Sequence, residues 1–201
     1  MNRQSVIYTV IFTFLVSFVF VFILAFANEG TRELVAINQK INRQRAILNA
    51  MNVQYSGDED VLKKYKDVKE VTRGDVTFYT TSVNGEPVFA KEFNGSGLWG
   101  NINGILAVNG DFTRVVGMEI INHNETPGLG GRIDEPWFKE QLRGEKIVDG
   151  TVRVGSAGDG DTDHDNGMID AVTGASRTSD SVEVILSKEL SVISDALGGK
   201  S

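Results

Sequence analysis

An α+β fold behind a single membrane-crossing helix is what these 201 residues predict. Three observations carry that expectation. The stretch "VIYTVIFTFLVSFVFVFILAFA" (Val6 to Ala27) is apolar on every face and lies inside an uncharged run from Gln4 to Asn28. Two later segments alternate apolar and polar residues about Asn-Gly dipeptides, the pattern of antiparallel hairpins. The C-terminal segment then reads as a helix, and hairpins with segregated helices make an α+β layer architecture.

Taken in order, the apolar stretch suffices for a helix to cross roughly 30 Å of hydrocarbon. A cleaved signal peptide is the rival reading, with Arg3 as its basic start and Ala25-Phe26-Ala27 as an A-x-A site. The run is longer than the roughly 7 to 15 apolar residues of such a leader, which favours a retained anchor. Arg32, Lys40, Arg43 and Arg45 follow the span while only Arg3 precedes it. By the positive-inside count the following domain faces the cytoplasm, although long folded domains cross with little regard to charge.

"TRELVAINQKINRQRAILNAMNV" places Leu34, Ile37, Ile41, Ile47 and Leu48 near helical spacing, so an amphipathic helix leaves the membrane. It serves either as packing for its own domain or as a stalk against a membrane neighbour. "DVTFYTTSVNGEPVFAKEF" forms a hairpin about Asn84-Gly85, and "NGILAVNGDFTRVVGMEII" another near Asn109-Gly110-Asp111. "PWFKEQLRG" is a short helix opened by Pro136, and a longer helix runs from about Ser179 to Leu197. The expected division is an anchor over 1–28, a connecting helix over 29–55 and one folded domain over 56–201.

Composition removes several function classes. A net charge of −7 without a basic cluster disfavours nucleic acid, whose phosphates need a clustered cationic surface. No cysteine is present, which excludes disulfides, thiolate metal sites, iron–sulfur ligation and CxxCH haem attachment. His123 and His164 are the only histidines, too few for a multi-histidine metal centre, and no metal site is expected.

Two motifs mislead. "GSGLWG" (Gly95 to Gly100) matches the dinucleotide fingerprint in letters, but "NINGILAV" after it reads as a strand where the motif needs a helix. Its glycines serve a close backbone approach, with Trp99 as a flat apolar surface beside them. "GDGDTDHDNG" alternates Asp159, Asp161, Asp163 and Asp165, yet neither EF-hand alignment supplies the central glycine and terminal glutamate. A solvated acidic loop is the plainer reading.

Two segments are richer. "HNETPGLGGRI" (His123 to Ile133) is either a turn-rich connection or a rigid glycine-lined loop that offers backbone amides to a planar heterocycle. "DAVTGASRTSDSVEVIL" (Asp170 to Leu186) gathers Thr173, Ser176, Thr178, Ser179 and Ser181 about Gly174-Ala175 at a helix start. No Ser-His-Asp or Ser-Lys arrangement activates these hydroxyls, so hydrolase chemistry and catalytic residues are unsupported. Hydroxyls and free amides at a helix N-terminus suit phosphate, whereas Asp180 to Glu183 has capping-box spacing, and pure capping by Asp180 or Ser179 is the structural alternative.

"DAVTGASRTS" resembles the flavinylation motif of the FMN-binding domain, Asp-x-x-Ser/Thr-Gly-Ala-Thr/Ser-x-Thr-Ser, in which a flavin transferase joins FMN phosphate to a hydroxyl. With the anchor, "NQKINRQRAIL", "GLWGNINGILAV" and "ETPGLGGRI" in the same order, nearly the whole chain is similar to the RnfG/NqrC family. The resemblance implies covalent FMN as phosphoester on Ser176, where many members have threonine, with Thr173, Gly174, Ala175, Thr178 and Ser179 about it. It also places Gly97, Leu98, Trp99, Glu125, Thr126, Pro127, Gly128 and Leu129 near the flavin.

By that resemblance the chain is an electron-transfer subunit of an Rnf-type ion-translocating complex, or of the NqrC type, with no substrate turnover of its own. Its partners are other membrane and redox subunits and a flavin transferase. The flavin domain is expected outside the cytoplasmic (inner) membrane. A membrane-anchored non-redox binding module and a stand-alone flavin reductase are the competing expectations.

Overall fold

The computed structural model describes residues 3–198, which form two units, one ending at Lys40 and one beginning at Ile41. Helix α1 (Arg3–Ala50) contributes to both. Its apolar side chains from Val6 to Phe26 are exposed to the surroundings rather than packed in a core. Phe14, Phe18 and Phe22 stack along it with centroids 6.4 and 6.5 Å apart. A helix so long and apolar, with bare side chains, is a single-pass membrane anchor.

The folded unit begins at Ile41 because the end of α1 packs within it. Ala46, Ile47, Leu48, Ala50 and Met51 are buried there, whereas Leu34, Val35 and Ile37 remain exposed. The helix past the membrane therefore does two things, packing on its own domain only from about Gln44 onward. Arg43 fastens that end: its Nε and Nη2 donate to the two Glu92 carboxylate oxygens at 2.9 and 2.6 Å, and Nη2 also donates to the Tyr79 hydroxyl at 2.6 Å. Arg43→Ala is expected to cost about 1 kcal/mol in chemical denaturation, since the pair is bidentate but half-exposed.

The short helix α2 (Gly57–Lys64) leads into a five-stranded antiparallel sheet in the order β1-β2-β3-β4-β5. Its strands are β1 (Lys69–Arg73), β2 (Val76–Val83), β3 (Glu86–Ser96), β4 (Asn101–Asn109) and β5 (Val115–Asn122). Asn84 and Gly85 turn the β2/β3 hairpin with φ of +54° and +88°, as the sequence predicts for a primed turn. The second hairpin is also present, β4 and β5 being joined through Asn109-Gly110-Asp111, with Phe112 at φ +56°.

Period-two alternation divides the sheet between two cores. On one face Ile105 and Ala107 of β4 meet Ala46, Ile47 and Ala50 of α1 and Met51 just after it. On the other, Ile102, Leu106 and Val108 of β4, with Phe89 and Phe93 of β3, meet helix α4 (Ser176–Leu197). Val182, Leu186, Leu190 and Ile193 form the helix stripe that covers them, each burial contributing about 1.5 to 3 kcal/mol. Helix α3 (Pro136–Gln141) starts with Pro136 at its first turn, as expected. A parallel pair, β6 (Arg153–Ala157) and β7 (Met168–Ala171), was not anticipated; β7 delivers the chain to the hydroxyl-rich turn.

Candidate functional site

Three short segments converge around the start of α4. The first is the 97–100 turn between β3 and β4, closed by the Gly97 N–H donating to the Gly100 carbonyl at 2.7 Å. The second is the loop from His123 after β5, in which the Thr126 carbonyl accepts from Leu129 and Gly131 at 3.1 and 2.9 Å. The third is the turn from Val172 to Ser176 that opens the helix, with Gly174 at φ +79°.

Glu125 ties them together. Its side chain is buried, with Oε1 accepting the Trp99 N–H at 3.0 Å and Oε2 the Thr178 hydroxyl at 2.5 Å. The Glu125 N–H donates to His123 Nδ1 at 3.1 Å, so His123 acts as a loop anchor. Packing about this carboxylate leaves no room for side chains on its neighbours. A Cβ on Gly130 would lie 2.5 Å from Thr178 Oγ1 and 2.9 Å from Glu125 Oε2, and one on Gly97 would lie 2.5 Å from Glu125 Oε1. Gly130→Ala is therefore expected to destabilise the chain by about 1 to 3 kcal/mol, read from a urea titration.

The converging segments enclose a cleft of about 410 Å³. Of the residues expected at the site, Leu98, Trp99, Thr126, Leu129, Gly174, Ala175, Ser176 and Thr178 line it. Glu125 and Gly97 stand behind its wall. Thr173, Pro127 and Gly128 are exposed nearby without lining it. Ser179 lies away from the cleft: it is 1 % exposed, accepts the Val172 N–H at 3.0 Å and donates to the Ala175 carbonyl at 3.1 Å. Gly130 and Arg177 also line the cleft and were not anticipated. Gly130 was legible in the Gly-Leu-Gly-Gly run, whereas Arg177 occupies a position at which the motif leaves the residue open.

The capping-box alternative is not realised. Helix α4 begins at Ser176, three residues before the expected start, so Asp180 lies inside the helix and cannot cap it. Ala175 is the N-cap, with no side-chain hydrogen bond and no acidic residue in the first turn. Among the described residues the first amides of α4, in the turn that lines the cleft, have no side-chain acceptor and lie at the positive end of the helix dipole. The rim is apolar by contrast: Leu98, Trp99 and Leu129 are 39, 68 and 47 % exposed. A cleft lined by a hydroxyl and the start of a helix together with large apolar side chains suits an amphipathic ligand that carries an anion.

The acidic loop does not line this cleft, and two of its carboxylates are held by neighbouring side chains. Asp161 accepts from Asn166 Nδ2 at 2.6 Å and from the Asp163 N–H at 2.8 Å, and Asp165 pairs with Arg114. Those partners, the Asn166 amide and the Arg114 guanidinium foremost, hold both carboxyls below the usual range. Among the described residues no three His, Cys, Asp or Glu side chains come together as a metal site.

Glu145 beneath the loop behaves oppositely. Burial pushes its carboxyl up, against the pull of the Gly167 N–H at 2.7 Å and of His164, whose Nδ1 lies 3.5 Å away. A raised carboxyl means that folding disfavours the charged form, so this group subtracts stability above its folded titration range and the penalty vanishes as pH falls through it. Glu145→Gln is expected to raise Tm at about pH 8 and to leave it unchanged at about pH 4, in paired thermal melts.

A family model for the FMN-binding domain matches residues 97–191, which contain all three converging segments. The chain is 35% identical over 94 residues to the NqrC subunit of the Na(+)-translocating NADH-quinone reductase of Neisseria meningitidis serogroup B, covering 45% of this chain and 35% of that one. To the NqrC of Pseudomonas aeruginosa it is 32% identical over 136 residues, or 63% and 52% of the two chains. The chain thus spans between about a third and a half of these relatives' length.

Among solved structures, it resembles the NqrC of Parabacteroides distasonis with a TM-score of 0.69 at 24% identity, covering 85% of this chain and 98% of that one. It resembles Shewanella oneidensis NqrC with a TM-score of 0.66 at 20% identity, covering 80% and 99%. Both likenesses speak for the fold. The folded unit thus matches the FMN-binding domain over residues 97–191 and is similar to NqrC subunits in sequence and in fold.

Proposed function

We propose that the protein is a membrane-anchored electron carrier whose FMN is esterified through its phosphate to Ser176, working as a subunit of an ion-translocating oxidoreductase of the Rnf or Nqr type. One observation carries the attachment. Of the hydroxyls in the motif, Thr178 is committed to Glu125 and Ser179 to the turn, both 1 % exposed, and Thr173 is exposed without lining the cleft, while Ser176 is exposed in the cleft and makes no hydrogen bond among the described residues. The donor set fits the group, with bare amides for a phosphate and an apolar rim for a ring system.

The roles of the residues follow. Esterification of FMN itself would expel hydroxide, so the reaction needs a pyrophosphate-activated donor such as FAD, supplied with a flavin transferase. Ser176 Oγ forms the new O–P bond while the pyrophosphate bond breaks, AMP leaves, and the hydroxyl proton passes to a base of the transferase. Gly174 and Ala175 leave the hydroxyl accessible, Glu125 holds the helix start against the 97–100 turn, and Leu98, Trp99 and Leu129 exclude water from one side of the cleft. The flavin, once bound, supplies one-electron exchange between redox partners.

Similarity to the NqrC subunits of sodium-translocating reductases supports partners of that kind, namely neighbouring membrane redox subunits. The folded unit is proposed to lie outside the cytoplasmic membrane. Because the chain has no cysteine, a single Asp75→Cys on an exposed turn is a unique reporter. Labelling of intact cells by a membrane-impermeant maleimide is expected; labelling only after lysis would place the domain inside. The attachment is tested by mass. Trypsin releases residues 154–177, separating Ser176 from Thr178, and an FMN-phosphoester increment on Ser176 is expected after co-production with the transferase. An unmodified peptide, with the transferase active on another substrate, would overturn the reading.

A further inference from the structure

Resting on the reading of Ser176 as acceptor, we propose that Arg177 holds the phosphate of the attached flavin, so that the tether is an ion-paired phosphodiester rather than a free linker. Arg177 is the one charged side chain among those that line the cleft, and it is next to the open hydroxyl. Five other arginines of the folded unit are held by carboxylates, Arg43 by Glu92, Arg45 by Asp58, Arg114 by Asp165, Arg132 by Glu135 and Arg143 by Glu140, while Arg73, over the Phe89 ring, and Arg153 do not line the cleft. Arg177 is exposed and has no such partner among the described residues, although Asp180 follows it by three positions.

A phosphodiester carries one negative charge, and this chain has a net charge of −7. The charge of the whole molecule therefore opposes the attachment, and compensation has to be local. A guanidinium forks to two phosphate oxygens in one plane, which a lysine cannot do, and the bare first-turn amides of α4 extend the same anion site. The pair is solvent-accessible, so its strength falls with salt as the screening length shrinks from about 10 Å at 0.1 M to about 3 Å at 1 M.

The full chain, loaded by flavin transferase and FAD and held in a phosphorus-free detergent, has the tether as its sole phosphorus. Its ³¹P resonance is expected to move on going from about 0.1 M to about 1 M NaCl. Arg177→Gln is expected to show the high-salt position already at low salt, and Arg177→Lys to fall between. Initial rates of attachment for Arg177→Gln should be about two- to five-fold lower at low salt and nearly equal to wild type at high salt. A wild-type resonance unmoved by salt, or one matched by Arg177→Gln at low salt, overturns the role of Arg177. A wild-type chain that gains no flavin mass overturns the acceptor reading instead, so the two failures are distinct.

Discussion

Ser176→Ala should abolish covalent flavin and leave the fold standing. The side chain is exposed and makes no hydrogen bond within the described residues, so its removal should change stability by no more than about 0.5 kcal/mol. Intact mass should fall by the whole flavin increment together with the lost oxygen, and fluorescence of the denatured chain should disappear. Ser176→Thr should retain attachment, because a phosphoester forms at either hydroxyl. Covalent flavin persisting in Ser176→Ala would move the acceptor to Thr173 or Thr178 and remove the argument from hydroxyl accessibility.

Glu125→Ala should have the largest effect on stability of any single change at the site, about 2 to 4 kcal/mol in urea denaturation. Its removal orphans two donors, the buried Thr178 hydroxyl and the part-buried Trp99 N–H, and opens a void beside Gly97 and Gly130. For a chain of this size the corresponding fall in Tm is roughly 5 to 15 °C. Attachment should fall in parallel, because the 97–100 turn and the start of α4 would no longer be held together. Glu125→Gln keeps one acceptor and most of the volume and should lose about half as much. A Glu125→Ala chain as stable as wild type would mean that the Glu125 carboxylate does not carry the convergence of the three segments.

Much of the molecule was legible because the relevant physics is local. The anchor is a matter of length and apolarity, which residues 6–27 display without reference to anything else. Both hairpins were readable from alternation and from Asn-Gly backbone preferences, and Asn84 and Gly85 adopt the positive φ values that those preferences serve. The rejection of a dinucleotide fold at Gly95 to Gly100 rested on the strand that follows, and β4 is that strand. The hydroxyl-rich turn was visible as a pattern of small and hydroxyl residues, and its resemblance to a flavinylation motif implied the flavin.

What was not legible depends on contacts between distant segments. The start of α4 was misplaced by three residues because Asp180 and Glu183 have capping-box spacing. The actual start is set by Ser179, whose hydroxyl bridges the Val172 N–H and the Ala175 carbonyl within the turn. Five hydroxyl-bearing residues look equivalent in sequence, and no local rule ranks Ser176 above Thr178.

Sequence alone therefore determined the anchor and the antiparallel layer, since each follows from the spacing of residues along one segment, while the candidate chemistry came from the resemblance of the hydroxyl-rich turn to a flavinylation motif. Tertiary structure alone decided which hydroxyls are buried, that Glu125 is a clamp and that Arg177 belongs to the cleft. Those are properties of burial and of hydrogen bonds across 26 and 53 residues of chain, and a buried carboxylate finds its donors only when the fold has brought them together.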